Sequence, residues 1–305
     1  MAESSHLENT ISSPIDFSGV GLHSGAPVRM RLLPAAAGSG VVFRRTDLDG
    51  FEISAIGRNV AKVSYATSLM RQGVLISTTE HLLSALLGMG VDNVIVELDN
   101  LELPILDGSA QSYVEAFRTI GLRSQRRRRE YLRIRKQVEV RDGDKFIGVY
   151  PGDGYSVSYD IDFPAPIGRQ GYRVDLATGA YEREIAPART FGFREDEQKL
   201  RDMGLIRGAT EQSVIVLSRQ GVLNGNLRFR NEFVRHKVLD LIGDLALVGH
   251  HILGHVVAER AGHAMHTALV SRLLRDRSAW ELVTLGSEKS RARTAPARTP
   301  SLVTA

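Results

Sequence analysis

A chain of 305 residues, 43% of them hydrophobic, is long enough for two ordinary domains with a buried core in each. Its net charge of 39 − 35 = +4 falls well short of a dedicated nucleic-acid binder, and without cysteine it has neither disulfides nor thiolate metal sites. No run approaches the about 18 apolar residues of a membrane span, and the polar start, residues 1–9, lacks a signal-peptide core; the expectation is a cytoplasmic monomer with at most transient contact with a membrane surface.

Residues 28–33 and 41–45 alternate or run apolar around the turn Gly38-Ser39-Gly40, as strands do. A helix is predicted over 79–87, stopped by Gly88 and Gly90, followed by a buried strand over 93–98. The turn Leu106-Asp107-Gly108 leads to a second helix over 109–120. Residues 123–130 include four consecutive arginines, Arg126 to Arg129. A solvated linker is the expectation there, rather than a patch for nucleic acid or anionic lipid. Strands follow over 131–140, 155–163 and 214–217, then a long helix over 232–248, a strand over 255–259 and a helix over 263–275. Each half thus ends helix–strand–helix after a set of strands, which predicts two similar α+β domains, 8–122 and 131–280. Residues 281–305, rich in Ser, Thr, Ala, Pro and Arg from Ser287 onward, are expected to form a disordered tail.

His236 and Asp240 are four apart on the long helix and share a face, with Asp244 one turn further on. Imidazole and carboxylate at this spacing can hold one divalent cation. The same spacing also suits a solvated His–Asp surface pair. The flanks Val238, Leu239, Leu241, Ile242 and Leu245 are apolar, so the helix reads as buried, and a buried carboxylate needs a partner. Two readings stay open for Ser77-Thr-Thr-Glu-His81. Ser77 and Glu80 match a capping box, with His81 a core histidine. Alternatively, His81 is a third ligand and Glu80 a general base in the same cleft. Two histidines and one aspartate would leave a fourth coordination position open, as a hydrolytic site needs. His263, between a strand and a helix, is a candidate proton donor, and Asp244 could orient it and favour its charged form. His250, His251, His255 and His266 have no carboxylate at ligand spacing and read as structural or exposed.

Six stretches together resemble the UDP-3-O-acyl-N-acetylglucosamine deacetylase family. They are Phe17-Ser-Gly-Val-Gly-Leu-His-Ser-Gly25, Ser77-Thr-Thr-Glu-His-Leu-Leu83, Pro104-Ile-Leu-Asp-Gly-Ser109, Ala188-Arg-Thr-Phe-Gly-Phe193, Glu232-Phe-Val-Arg-His-Lys-Val-Leu-Asp-Leu-Ile-Gly-Asp244 and Gly262-His263. The resemblance implies two domains, each a sheet layer on a helix layer, with the active site between them. It implies a zinc hydrolase that removes the N-acetyl group of a UDP-linked acylated amino sugar on the way to lipid A. His81, His236 and Asp240 would be the zinc ligands, Glu80 the general base, and His263 the general acid with Asp244 behind it. Thr190 would support the oxyanion. Lys237 and Lys145 would lie near substrate carbonyl and phosphate, Phe163 would be a platform for uracil, and Phe191 would line the substrate site. His23, in the first stretch, has no defined role.

Two positions depart from the family's pattern. Glu197 and Glu211 stand where apolar residues line the passage for the fatty acyl chain, and a carboxylate beside hydrocarbon is costly. Poor handling of long acyl chains is therefore expected. The alternative substrate is a different N-acetylated sugar with a short or absent acyl chain.

Overall fold

The computed structural model describes residues 6–61, 65–176 and 179–286. The first half contains β1 (Leu7–Ile11), β2 (Ile15–Val20), β3 (Pro27–Pro34), β4 (Val41–Arg45), β5 (Phe51–Ser54), β6 (Leu69–Arg71), β7 (Val74–Ile76), α1 (Glu80–Met89), β8 (Val94–Leu98) and α2 (Gln111–Ile120). Next come β9 (Leu122–Arg128), β10 (Glu130–Ile134), β11 (Val138–Asp142), β12 (Lys145–Tyr150), β13 (Tyr155–Phe163) and β14 (Gly168–Asp175). The chain continues through β15 (Phe191–Phe193), α3 (Glu197–Asp202), β16 (Ile215–Ser218), β17 (Gly221–Val222), α4 (Glu232–Leu245), β18 (His251–Glu259), α5 (His263–Arg275) and β19 (Trp280–Thr284).

One sheet has the order β2-β3-β8-β4-β5, with β8 antiparallel to β3 and parallel to β4. The larger sheet has the order β11-β12-β18-β10-β19, and β13, paired with β14, also joins β18. β18 is antiparallel to β12 and parallel to β10 and β13. In each sheet the central strand is the one flanked by two helices in the chain, β8 by α1 and α2, β18 by α4 and α5. This mixed architecture of sheets and helices agrees with the α+β class.

Side-chain alternation explains the strands. β3 turns Val28, Met30 and Leu32 inward and Arg29 and Arg31 outward, and β13 buries Tyr155, Val157, Tyr159 and Ile161. No residue of α1 or α4 is exposed, because the two helices pack against each other and are buried over most of their lengths. The approach is close: a Cβ on Gly243 of α4 would collide with the backbone carbonyl of Glu80 on α1. The first turn of α1 is thereby set against the last turn of α4.

Three local expectations change. Residues 123–128 are strand rather than linker, because β9 pairs antiparallel with β1, though most of them are solvated as expected. The arginines find partners: Arg127 Nε meets Glu8 at 3.0 Å, and buried Arg129 holds Asp92 through Nε and Nη2, both at 2.7 Å. The strand expected over 131–140 is split into β10 and β11. Residues 281–284 are strand rather than tail, because β19 pairs with β10, Trp280 opposite Ile134 and Val283 opposite Tyr131; residues 287–305 of the expected tail lie outside the described residues. Among the described residues no helix is long and apolar enough to cross a membrane.

Candidate metal centre and active site

His81 comes from the first turn of α1, and His236 and Asp240 from successive turns of α4. All three are buried. Asp240 Oδ1 lies 3.6 Å from His81 Nε2 and 3.4 Å from His236 Nε2, and it has no hydrogen-bond partner among the described residues. A tetrahedral ion with bonds of about 2.0–2.2 Å separates its ligand atoms by about 3.3–3.6 Å. The trio therefore has the spacing of ligands around an ion rather than of hydrogen-bonded groups. His236 Nδ1 lies 3.0 Å from the Ala188 carbonyl, which orients Nε2 toward Asp240. Burial lowers the His236 pKa to about 4, leaving the ring neutral and able to ligate. Burial opposes ionisation of Asp240, yet His236 and Lys237 hold its carboxyl well below the usual range. Lys237 Nζ donates to Asp240 Oδ2 at 2.6 Å.

Glu80 and His263 stand beside this trio. His263 Nε2 is 3.9 Å from Glu80 Oε1 and 3.8 Å from Asp240 Oδ2. The capping-box reading of Glu80 does not hold. Its Oε2 instead accepts the backbone N–H of Thr67 at 3.0 Å, while Ser77 Oγ bonds to Ser68 Oγ at 2.9 Å. The N-cap is Thr79, without a side-chain cap bond. Burial pushes the Glu80 carboxyl up, as suits a proton acceptor near neutrality. Burial opposes the charged form of His263, but Asp244, with Asp240 and Glu80, outweighs it and raises the pKa to about 9. The contact is a 2.7 Å bond from His263 Nδ1 to Asp244 Oδ2.

Asp244, His263 and His266 also lie close enough together to suggest a metal group. Their contacts of 2.7 and 2.8 Å are hydrogen-bond distances and leave no room for an ion. His266, read from sequence as structural or exposed, is fully buried in this cluster. Its three-residue offset from His263 on α5 was the available signal. Thr67, which donates to Asp244 Oδ1 at 2.5 Å, had no local signal.

A cavity of about 670 Å³ opens onto Glu80, His81, His236, Asp240 and His263. Thr190, Lys237, Lys145, Phe163 and Phe191 line it, so every sequence-predicted site residue is in its wall except Asp244, which lies behind His263. Phe191 packs edge-on against Phe163 at 5.5 Å and against Phe233 at 5.0 Å. Sequence reasoning missed Arg260, whose Nη1 bonds Asp144 Oδ2 at 2.6 Å and ties the β11–β12 turn, with Lys145, to the cavity. His23 is half-buried, and neither ring nitrogen has a partner among the described residues.

Glu197 and Glu211 are not in the cavity wall. Glu197, on α3, pairs with Arg194 and Arg201, each at 3.0 Å, and Glu211 is exposed in a turn. The expected carboxylate lining of an acyl passage is therefore absent from this cavity. A guanidinium three or four residues away satisfies Glu197 at the surface.

The UDP-3-O-acyl N-acetylglycosamine deacetylase family, LpxC, matches residues 8–275. The chain is 54% identical over 286 residues to UDP-3-O-acyl-N-acetylglucosamine deacetylase of Solibacter usitatus (strain Ellin6076), covering 93% of this chain and 97% of that protein. Proteins of the same name from Myxococcus xanthus (strain DK1622) and Cellvibrio japonicus (strain Ueda107) are similar too. The first is 45% identical, covering 93% of this chain and 91% of that protein, and the second is 41% identical, covering 92% and 95%. The matched span includes every residue of the cavity described above, and the chain belongs to the UDP-3-O-acyl N-acetylglycosamine deacetylase family.

Proposed function

We propose that the protein hydrolyses the N-acetyl group of UDP-3-O-acyl-N-acetylglucosamine, the committed step of lipid A biosynthesis, as a zinc-dependent amidohydrolase. The reading places the reaction between two similar α+β domains, 8–122 and 131–280, in a cytoplasmic monomer. Its partner is the UDP-linked acylated sugar, with no nucleic acid and at most transient membrane contact. The observation that carries it is the buried Asp240 Oδ1, without a hydrogen-bond partner among the described residues and facing two imidazole nitrogens, with Glu80 and His263 beside it. His81, His236 and Asp240 would hold the ion, which when bound supplies Lewis acidity to the acetyl carbonyl.

This chain's own residues do the rest. Glu80 has Oε2 committed to Thr67 and keeps Oε1 toward His263 and the cavity, where it takes the proton of the attacking water. Thr190 is positioned on the wall to donate a hydrogen bond to the oxyanion. His263, charged through Asp244, gives the proton that lets the amine leave. Lys237, bonded to Asp240 and lining the cavity, keeps positive charge near the carbonyl. Lys145 faces the phosphates, Phe163 offers flat apolar surface to the uracil, and Phe191 lines the substrate site beside it. Acetate release from UDP-3-O-acyl-N-acetylglucosamine, with metal content measured on the same sample, tests this. Chelation should abolish turnover and zinc should restore it; full activity of metal-free protein would refute the reading.

A further inference from the structure

The group behind His263 is larger than one carboxylate. Asp244 Oδ2 accepts from two imidazoles, His263 Nδ1 at 2.7 Å and His266 Nδ1 at 2.8 Å, and Oδ1 accepts from Thr67 Oγ1 at 2.5 Å. Three donors from two segments, α5 and the stretch before β6, leave this carboxylate no freedom to turn. His266 and Asp244 are both fully buried, so water cannot replace a lost donor at small cost. The far side of the His266 ring is fixed as well: Nε2 lies 3.0 Å from the hydroxyl of Tyr159, itself 2.7 Å from the Ala261 carbonyl. Ala261 is two residues before His263 in the turn from β18 to α5. A chain of contacts thus runs from His263 through Asp244, His266 and Tyr159 to the backbone that carries His263, the single Tyr159 hydroxyl hydrogen serving either His266 Nε2 or the Ala261 carbonyl.

We propose that His266 and Tyr159 are positioning residues for the reaction. Tyr159 holds the His266 ring so that Nδ1–H meets Asp244, and His266 holds Asp244 in the one rotamer that aims His263 Nε2 between Glu80 and Asp240. Neither residue is in the cavity wall, so neither touches substrate. The inference rests on His263 being the proton donor proposed above.

Four variants and one control test it on the metal-loaded enzyme. An asparagine at 266 keeps an N–H where histidine has Nδ1, needs nothing from Tyr159, and is the conservative replacement. His266→Leu should lower kcat by about 10–100-fold with KM and metal content unchanged, the size usual for losing an orienting outer partner. His266→Asn should stay within about threefold of the parent, well short of that loss. Tyr159→Phe should lower kcat when His266 is present and have little effect in the Tyr159→Phe, His266→Asn double variant, so the two positions are strongly coupled. In metal-free protein, the downfield Nδ1–H proton resonance of His263 should move in His266→Leu and stay in place in His266→Asn. If His266→Leu does not fold, the coupling between the Tyr159 and His266→Asn variants decides. Equal losses in His266→Leu and His266→Asn, or additive effects of Tyr159→Phe and His266→Asn, would overturn the proposal. His263→Gln is the control: if it keeps full activity, the role given to His263 is wrong, whatever the other variants do.

Discussion

Glu80 is best understood by what each carboxylate oxygen touches. Oε2 is tied to the Thr67 amide and Oε1 faces His263 across 3.9 Å. Gln keeps the shape and can still accept the Thr67 N–H, but it cannot take a proton. Glu80→Gln should therefore retain fold and metal while turnover falls by about 10²–10⁴. Metal analysis beside steady-state rates checks this; normal turnover would reduce Glu80 to a structural carboxylate. The pH dependence has a definite sign. Burial raises the Glu80 pKa, and its basic form exists above that pKa, so the rate should climb as pH rises through it. His263, raised to about 9 by Asp244, is an acid only below its own pKa, so the rate should fall as pH rises through that value. A bell-shaped profile of kcat/KM is expected. His263→Gln should remove the alkaline limb and leave the acidic one, which rate measurements across pH will show.

The α1–α4 contact turns a packing detail into a determinant of the proposed metal centre. His81 is on one helix and His236 and Asp240 are on the other, so the distances among them are set by how closely the helices approach. Gly243 permits that approach against the Glu80 carbonyl. Gly243→Ala must push the helices apart or strain them, at a cost of about 1–3 kcal/mol. Alanine also favours the helix by about 0.8–1.0 kcal/mol, which offsets part of that loss. Net stability should then change modestly while metal affinity falls clearly. Thermal melting and metal titration of the variant separate the two; unchanged affinity would mean that the centre tolerates helix displacement.

Across the molecule, the arrangement around α3 bears on substrate choice. Glu197 is about one-third exposed and held between two arginines, so it contributes little to stability and nothing to the cavity wall. The double variant Glu197→Ile, Glu211→Leu should leave the dependence of kcat/KM on acyl length unchanged within about twofold, because each buried CH₂ in a true lining would shift it by about 0.8 kcal/mol. A substrate series differing only in acyl length measures this. A steeper climb with chain length in the double variant would show that these carboxylates do border the acyl chain.

The readings that held are those fixed over a few residues. His236 and Asp240 share a face because a helix repeats every 3.6 residues, and the apolar flanks of α4 announced burial. α5 begins at His263, where the Gly262-His263 boundary was legible. The readings that changed depend on a distant partner. Glu80 could be a cap or a base until Thr67 took one of its carboxylate oxygens, and Asp244 looked like the partner of one histidine until His266 and Thr67 reached it. Four arginines in a row read as a linker when taken alone, yet β1, at the opposite end of the first half, made Arg126, Arg127 and Arg128 part of β9, where they stay exposed, and only Arg129 is buried. Glu197 had its arginines within one helical turn on either side, but which way that face points depends on packing of the whole chain. Local periodicity determines which residues can share a face. Hydrogen-bond partners far apart in sequence are chosen only when folding brings buried polar groups together and each must be satisfied.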